Sequence, residues 1–468
     1  MKYVSTRGGA PAVDFEGALL AGLAPDGGLY MPETWPQFDA REARAVGALP
    51  YADAAAEILS RFAGPAFDKK ALTAMTAEAY AGFAHKDVAP VVQVGEEDYI
   101  LELFHGPTLA FKDFAMQILG RLFDAALTRR GERLTIIAAT SGDTGAAAID
   151  ALKSCSRVNV VVMHPEGRVS DVQRRMMTSV IAPNVMNIAI EGSFDDCQAI
   201  VKTLFADNAF AGDVRLSGVN SINWARIAAQ IVYYVTAWTK VAENGEAINF
   251  VVPTGNFGDV FAGYAAKRMG LPIAKLGVAA NANDILHRAI ADGDYTPSTV
   301  TPTASPSMDI QVASNFERLL FEAKKRDAKA LRETMEAFAR DRGMKIDADT
   351  LAAIRRDFVS CAVSEQRTLD EIAIHEKRGR GLIDPHTAVG RAAAQQLRRQ
   401  GALKGKVVAL STAHPAKFPD AVREATGKTP ALPGFYADLF DRPEAMEHAP
   451  ADAAAVKAIV RKAFGTRR

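Results

Sequence analysis

The sequence predicts an α/β protein built on parallel sheets. From about residue 90, short apolar runs alternate with amphipathic helical segments, as in layered α/β folds. The runs are apolar throughout rather than alternating, which is typical of strands buried on both faces of a parallel sheet. Six runs have this character: 134–140, 158–164, 184–190, 247–253, 273–279 and 407–412. The run DYILELF at 98–104 is also apolar enough for a buried strand.

A chain of 468 residues exceeds one ordinary core, so several domains are expected. We predict an N-terminal domain at 1–85, which begins with turn-rich elements and continues as an alanine-rich helical pattern. A smaller α/β domain is predicted at 134–245. The large domain would combine 86–133 with 246–468 and carry a charged helical insertion at about 315–378. The segment 295–307, rich in Thr, Pro and Ser, is predicted to be a loop.

The composition of the chain disfavours several classes of function. Lys plus Arg and Asp plus Glu each number 55, so the formal net charge is zero, which does not favour a nucleic-acid or membrane partner. Cys155, Cys197 and Cys361 are far apart, which disfavours a disulfide scaffold or a zinc site and suits a reducing compartment. No signal-peptide pattern and no apolar stretch of ~20 residues is evident. We therefore expect a cytoplasmic protein that needs no metal.

A lysine stands where a predicted strand changes into a predicted helix. The run at 98–104 is followed by HGPT at 105–108, and apolar residues then recur at helical spacing from Phe111. Lys112 is therefore expected at a helix N-terminus, where the helix dipole and two flanking phenylalanines disfavour an ammonium. An uncharged amine is what Schiff-base formation requires. The alternative is a solvated lysine on the polar face of an amphipathic helix.

Two strand–loop–helix units carry glycine-bracketed loops, SGDTG at 141–145 and TGNFG at 254–258. Glycines let the backbone approach a ligand closely, and the following helix presents N–H groups to an anion. A carboxylate or phosphate would bind there, although an ordinary turn with a capping side chain is the alternative. Neither loop matches the Rossmann or P-loop pattern, which disfavours dinucleotide and ATP binding.

A third constellation, GVNSINWAR, spans 218–226. We expect Asn220 or Ser221 to cap a helix that carries Arg226 about one to one and a half turns from its start. An arginine beside Asn and Ser can bind two phosphate oxygens at once. The alternative is a capped helix with a surface arginine.

Two later motifs follow the same logic. LSTAHPAK at 410–417 follows a predicted strand and offers hydroxyls at its C-terminal end, where open α/β sheets bind ligands. DPHT at 384–387 reads first as a helix N-cap with proline at the first helical position.

Taken together and in this order, the motifs resemble those of pyridoxal-phosphate enzymes with the tryptophan synthase β-subunit fold. Within that group the chain is most similar to the threonine synthase family, in its long bacterial and fungal form. The resemblance extends over nearly the whole chain. Five segments are specific to that form: STRG at 5–8, FEGALLAGLAPDGGLY at 15–30, FHGPTLAFKDF at 104–114, NSINWAR at 220–226 and SMDIQVASNFER at 307–318.

The resemblance implies a role for each candidate residue. Lys112 would form the Schiff base with pyridoxal 5'-phosphate, and Thr412 would contact the pyridine nitrogen. The loop that holds the cofactor phosphate would consist of Gly255, Asn256, Phe257 and Gly258. The residues that hold the substrate carboxylate would be Thr140, Ser141 and Thr144. The residues that bind the substrate phosphate would be Asn220, Ser221, Arg226 and Asn256.

Asp143 departs from the pattern, because shorter relatives of the fold commonly carry Asn there. An ionised Asp would repel a substrate carboxylate. We therefore expect Asp143 to cap the following helix or to contact the phenolic oxygen of the cofactor.

The implied reaction converts O-phospho-L-homoserine and water to L-threonine and phosphate, in a monomer or homodimer. Two alternatives remain. A serine/threonine dehydratase or an O-acyl-amino-acid sulfhydrylase of the same fold would lack a second phosphate site, so the segment 220–226 disfavours both. A non-catalytic relative that binds phosphorylated metabolites would not need Lys112.

Overall fold

The computed structural model describes residues 1–218 and 220–465, and Val219 of the 218–226 constellation lies outside them. Its α-helices follow the predicted amphipathic segments, and most begin at a side chain that accepts a backbone N–H. They are α1 Phe15–Ala21, α2 Ala40–Gly47, α3 Tyr51–Ala63, α4 Lys69–Tyr80, α5 Lys112–Arg130, α6 Asp143–Leu152, α7 Asp171–Thr178, α8 Phe194–Ala206, α9 Asn208–Val214, α10 Trp224–Val241, α11 Gly258–Arg268, α12 Ile285–Ala291, α13 Phe316–Ala323, α14 Ala328–Asp341, α15 Ala348–Asp357, α16 Glu365–Lys377, α17 Pro385–Arg399, α18 Pro419–Thr426 and α19 Ala453–Phe464.

The strands form two larger sheets and two short antiparallel pairs. They are β1 Tyr3–Ser5, β2 Tyr30–Pro32, β3 Val91–Gln93, β4 Asp98–Glu102, β5 Leu134–Ala139, β6 Val158–Pro165, β7 Val185–Glu191, β8 Leu216–Ser217, β9 Ile248–Pro253, β10 Ile273–Ala280, β11 Asp294–Tyr295, β12 Met344–Lys345, β13 Phe358–Ala362, β14 Val407–Ser411 and β15 Glu447–Pro450. No helix in the described ranges is long and apolar enough to cross a membrane.

The chain divides into two compact units. Unit 1 comprises Met1–Leu19, Leu23–Phe111 and Ser221–Pro430, and unit 2 comprises Leu20–Gly22, Lys112–Asn220 and Ala431–Arg468. These bounds differ from the domains predicted at 1–85, at 86–133 with 246–468, and at 134–245. The N-terminal segment shares unit 1 with the larger sheet, and α5 belongs to unit 2. The difference arises because the units follow tertiary contacts, whereas the prediction followed changes in composition along the chain.

Unit 1 contains a six-stranded sheet in the order β13-β10-β9-β14-β4-β3. Every neighbouring pair is parallel except β3 with β4, which is antiparallel. Each residue of β9 and of β14 is buried, as expected for strands covered on both faces. The carboxyl ends of these two central strands lead directly into the 254–258 loop and into Thr412.

Unit 2 contains a five-stranded parallel sheet in the order β15-β7-β6-β5-β8. Its core on one face combines apolar residues of β5, β6 and β7 with α8, α9 and the C-terminal helix α19. The 141–145 loop follows β5 and leads into α6. Both candidate anion loops therefore lie after the carboxyl end of a parallel strand, the position where such sheets bind ligands.

All seven predicted strands are confirmed, whereas the predicted helical insertion is only partly so. Residues 315–378 contain α13 to α16, but β13 also lies in this stretch and pairs with β10 as an edge strand of the larger sheet. The surrounding charged residues concealed its FVSCA sequence. The predicted loop at 295–307 is confirmed, apart from Tyr295 at its start and a 3-10 turn at Pro306–Met308.

Candidate active site

Lys112 is the first residue of α5, as predicted, and only 9% of it is exposed. The loop before it belongs to unit 1 and is held in a strained form. Leu109 has a φ of 59°, a left-handed conformation that is uncommon for a bulky residue. The buried Lys417 ammonium donates to the carbonyl oxygen of Thr108 at 2.7 Å, which fixes this loop. Because Lys112 is buried, the alternative that it is a solvated lysine on a helix surface is wrong.

Asp143 faces Lys112 within unit 2. The Lys112 Nζ lies 3.4 Å from Asp143 Oδ2, and the Gln173 side-chain amide donates to Asp143 Oδ1 at 2.9 Å. The expectation that Asp143 caps α6 is wrong, because it is the first helical residue and Gly142 occupies the N-cap position. A carboxylate this close stabilises an ammonium, which opposes the helix dipole and burial. Lys112 and Asp143 thus form a buried ion pair within unit 2.

The 141–145 loop is shaped by the side chain of Thr140. Its hydroxyl accepts from Gly142 N at 3.0 Å and from Gly145 N at 2.9 Å, so it closes the loop over the start of α6. Gly142 has a φ of 129°, and an added Cβ would lie 2.5 Å from the Gln173 side chain. Only glycine fits there. The half-buried hydroxyls of Ser141 and Thr144 make no hydrogen bond within the described residues, so both can bind a ligand.

The 254–258 loop of unit 1 leads from β9 into α11, as predicted. An added Cβ on Gly255 would lie 2.7 Å from the Ser307 backbone oxygen, so a side chain would displace that segment. Phe257 has a φ of 65° and is held by ring contacts with Phe316 and Phe358. Strained backbone of this kind persists where the surroundings determine it, and it is common at ligand sites. Gly258 then starts α11.

The 220–226 segment corrects two expectations. Neither Asn220 nor Ser221 caps α10, because Asn223 is the N-cap and accepts from Ala225 N at 3.0 Å. Arg226 is therefore the third helical residue, in the first turn rather than beyond it. It is also 4% exposed, so it is not a surface arginine. Burial lowers the pKa of Arg226 to about 10, and a bound anion would offset this desolvation.

Asn315 joins the two candidate anion-binding segments of unit 1. Its side-chain amide donates to the carbonyl oxygens of Ser221 at 3.3 Å and Asn256 at 3.1 Å, and its own N–H also donates to Asn256. The Arg318 guanidinium donates to Asn315 Oδ1 at 3.0 Å and to the carbonyl oxygens of Tyr30 and Ile222. The 254–258 loop and the start of α10 are thus adjacent and fixed to each other.

Thr412 directly follows the last residue of β14, as predicted. It is buried, and its carbonyl oxygen accepts from Phe111 N at 2.9 Å. Its hydroxyl makes no hydrogen bond within the described part of the chain. That hydroxyl is therefore available to a ligand at the carboxyl end of the sheet.

Asp259 lies beneath the 254–258 loop in the first turn of α11. The hydroxyls of Tyr233 and Tyr234 donate to its Oδ1 at 2.6 and 2.9 Å. Burial raises the pKa of Asp259 to about 6, although the two tyrosine hydrogen bonds lower it. The helix that supports the loop therefore contains a carboxyl group that titrates near neutral pH.

We expect Asp259→Asn to change how stability depends on pH. Because the folded-state pKa is raised, the contribution of Asp259 is fully present below pH 4 and is lost as pH rises through about 6. Relative to the variant, the unaltered protein should lose on the order of 2–3 kcal/mol of unfolding free energy across this window. Urea unfolding at intervals from pH 4 to 7 would measure this difference. Parallel profiles for the two proteins would contradict the prediction.

Sequence reasoning missed Gln173 and Asn315. The contact of Gln173 with Asp143 links residues 30 positions apart, and no local pattern indicates it. Asn315 had a signal, because it stands inside the 307–318 segment that is specific to the resembled family. Among the described residues, no group of three or more His, Cys, Asp or Glu is arranged to hold a metal ion.

Three family models together match most of the chain. Residues 2–80 match the threonine synthase N terminus, residues 92–356 match the pyridoxal-phosphate dependent enzymes, and residues 387–460 match the threonine synthase C-terminal model. The threonine synthase of Pseudomonas aeruginosa is 50% identical over 461 residues, which is 98% of each chain.

Solved structures agree with these matches. The structure of pyridoxal-phosphate-bound threonine synthase from Brucella melitensis has a TM-score of 0.96 and 49% identity, over 99% of both chains. The yeast threonine synthase structure has a TM-score of 0.93 and 37% identity, over 99% of this chain and 98% of that one.

Proposed function

This chain belongs to the threonine synthase family of pyridoxal-phosphate-dependent lyases, and we propose that its substrate is O-phospho-L-homoserine. Its fold is the tryptophan synthase β-like fold of that family. The proposed reaction consumes water and releases L-threonine and phosphate. It breaks the bond between Cγ and the phosphate oxygen and one Cβ–H bond, adds the hydroxyl of water at Cβ and places a proton on Cγ.

One observation carries the choice of substrate. Unit 1 holds two adjacent anion-binding segments, the 254–258 loop and the start of α10 with Arg226, and Asn315 bonds to both. Two such segments suit one phosphate on the cofactor and another on the substrate. A dehydratase or a sulfhydrylase has no use for the second. Burial of the Arg226 guanidinium supports a dianionic ligand, because a charged hydrogen bond is strongest where water is excluded.

The residues present fit the cofactor. The Gly255 backbone can approach a phosphate because no side chain fits at that position, and α11 presents its first N–H groups there. We propose that Gly255, Asn256, Phe257 and Gly258 hold this phosphate and that the Thr412 hydroxyl bonds to the pyridine nitrogen. When bound, pyridoxal phosphate supplies the electron sink that stabilises negative charge at the substrate Cα.

Lys112 then has two roles. Its amine would hold the cofactor covalently before substrate binds, and the same amine, once free, would take the Cα proton as a general base. Asp143, held by Gln173, orients this amine and stabilises the ammonium that proton transfer produces. We therefore propose Asp143 as a partner of Lys112 at the cofactor and not as a ligand of the substrate carboxylate.

The remaining roles concern substrate binding. We propose that Ser141 and Thr144 bond to the substrate carboxylate with their available hydroxyls, while Thr140 keeps their loop in shape. Arg226 would bind the substrate phosphate and stabilise the charge that develops as it departs. The remaining residues proposed to assist at the phosphate are Asn220, Ser221 and Asn256.

A phosphate-release assay tests the substrate. The cofactor-loaded protein should release phosphate from O-phospho-L-homoserine and produce threonine, which chromatography of the product would identify. O-phospho-L-serine and L-serine are the comparison substrates. Release of ammonia from L-serine with a higher kcat/KM would identify a dehydratase and overturn the proposal.

We also propose that the protein acts in the cytoplasm as a monomer or a homodimer. Its cysteines Cys155, Cys197 and Cys361 are all free, which suits a reducing compartment. Size-exclusion chromatography with light scattering would determine the oligomeric state.

A further inference from the structure

The carboxylate of Asp384 is fully buried at the N-cap of α17 and accepts four hydrogen bonds. The backbone N–H and ring Nδ1 of His386 donate to Oδ1 at 2.9 and 2.8 Å. The backbone N–H of Thr387 donates to Oδ2 at 3.3 Å, and the Thr387 hydroxyl donates to the same oxygen. A helix cap needs only the two backbone bonds. The two side-chain bonds therefore indicate a further role.

One side-chain bond leads to the 254–258 loop. His386 Nε2 lies 3.2 Å from Ser307 N and can only accept from it. The imidazole is then the neutral tautomer that carries its proton on Nδ1 and donates it to Asp384. Ser307 is the residue whose carbonyl oxygen excludes a side chain at Gly255. Asp384 thus fixes, through His386, the segment that packs on the candidate phosphate loop.

The other side-chain bond leads to the end of β14. The Thr387 hydroxyl donates to Asp384, so the Ser411 hydroxyl must donate to Thr387, at 2.8 Å. Ser411 immediately precedes Thr412. The bonds from Ser411, Thr387 and His386 all point toward a single carboxylate, and such buried networks tolerate the loss of a member poorly.

We propose that Asp384 is a positioning residue that sets the 254–258 loop and Thr412 at the spacing needed to hold the two ends of one cofactor molecule. This inference rests on the proposed roles of Gly255 and Thr412. Within the described residues Asp384 makes no hydrogen bond to either residue, and it acts through His386 with Ser307 and through Thr387 with Ser411. A group that only accepts is required at this position, because His386 and Thr387 both donate to it.

Asp384→Asn tests the proposal, since an amide nitrogen cannot accept from Thr387. The apoprotein of the variant should bind pyridoxal phosphate with a dissociation constant raised ~10-fold or more, and the visible absorbance band of the bound cofactor should shift. Fluorescence titration and absorbance spectra would measure both. Residual activity should show a lower kcat with KM for the amino-acid substrate changed less.

The chain offers a matched control in Asp347. It is the N-cap of α15 and also accepts from the N–H and hydroxyl of a threonine at the third helical position, Thr350. Asp347→Asn should lower the melting temperature but leave cofactor affinity and spectrum unchanged. If Asp347→Asn weakens cofactor binding as much as Asp384→Asn does, the weaker binding results from the loss of a helix cap and the proposal is wrong.

Variants of His386 and Ser411 keep the proposal testable if Asp384→Asn does not fold. His386→Asn removes the acceptor for Ser307, whereas His386→Gln keeps one at the ε position and should recover part of the affinity. Ser411→Ala should shift the absorbance band more than it changes the dissociation constant. Unchanged affinity and spectrum in Asp384→Asn, or in both His386→Asn and Ser411→Ala, would overturn the inference. Failure of the unaltered apoprotein to bind pyridoxal phosphate would instead overturn the proposed function.

Discussion

Lys112→Ala should abolish threonine formation and remove the visible absorbance band of the bound cofactor, while the protein stays folded. The variant loses both the covalent attachment and the general base, so kcat should fall by ~10²–10⁴-fold or more. Folding should persist because alanine suits the first turn of α5 and because Asp143 keeps its bond from Gln173. Phosphate release, absorbance spectra and circular dichroism would measure the three effects.

Lys69→Ala is the matched control, because Lys69 begins α4 as Lys112 begins α5. It should keep both the band and the activity. Borohydride reduction of the unaltered holoprotein, followed by peptide mapping, should locate the cofactor on Lys112. A Lys112→Ala protein that still turns over, or a label on another lysine, would contradict the assignment.

Arg226→Ala should keep the bound cofactor and its absorbance band but lose ~10- to 100-fold or more in kcat/KM for O-phospho-L-homoserine. The guanidinium would contact the substrate phosphate and not the cofactor phosphate, which we propose is held by the 254–258 loop. Inhibition by inorganic phosphate should weaken in parallel. Arg226→Lys should recover only part of the loss, because an ammonium cannot form the planar two-bond contact.

Removing any buried arginine could lower activity through stability alone. Arg391 provides the comparison, because it is equally buried in unit 1 and pairs with Glu371. Arg391→Ala should lower the melting temperature without changing the inhibition constant of phosphate. Loss of the cofactor from Arg226→Ala would mean that Arg226 binds the cofactor phosphate and not the substrate phosphate. Unchanged catalytic efficiency would show that Arg226 is structural.

Local patterns were sufficient for the seven predicted strands, the start of α5 and the glycine loops. Continuous apolar runs identified the buried strands because a strand that is buried on both faces carries apolar residues at nearly every position. The edge strand β13 was not predicted because charged residues surround its FVSCA sequence, and the edge strand β15 was not predicted either. The sequence of β15, EHAP, carries little apolar signal.

The errors at the site have two causes, which are partners remote in sequence and several acceptable caps close together. Asp143 looked like a helix cap, but its carboxylate faces Lys112, which is 31 residues away. The capping error at α10 arose because Asn220, Ser221 and Asn223 are all acceptable caps within four residues. The Asp384 network shows the same limit, since its link to Ser307 crosses 79 residues.

The order in which the chain is synthesised has a consequence for unit 2. β15 covers the edge of β7, and α19 covers the apolar face beside it, yet both belong to the last segment, Ala431–Arg468. At ordinary translation rates that segment emerges on the order of 10–50 s after β7. Throughout this interval the edge of β7 that pairs with β15, from Ile188 to Glu191, has no strand partner, and unpaired strand edges associate with other chains. We therefore expect slower translation to lengthen the time for which this edge is exposed.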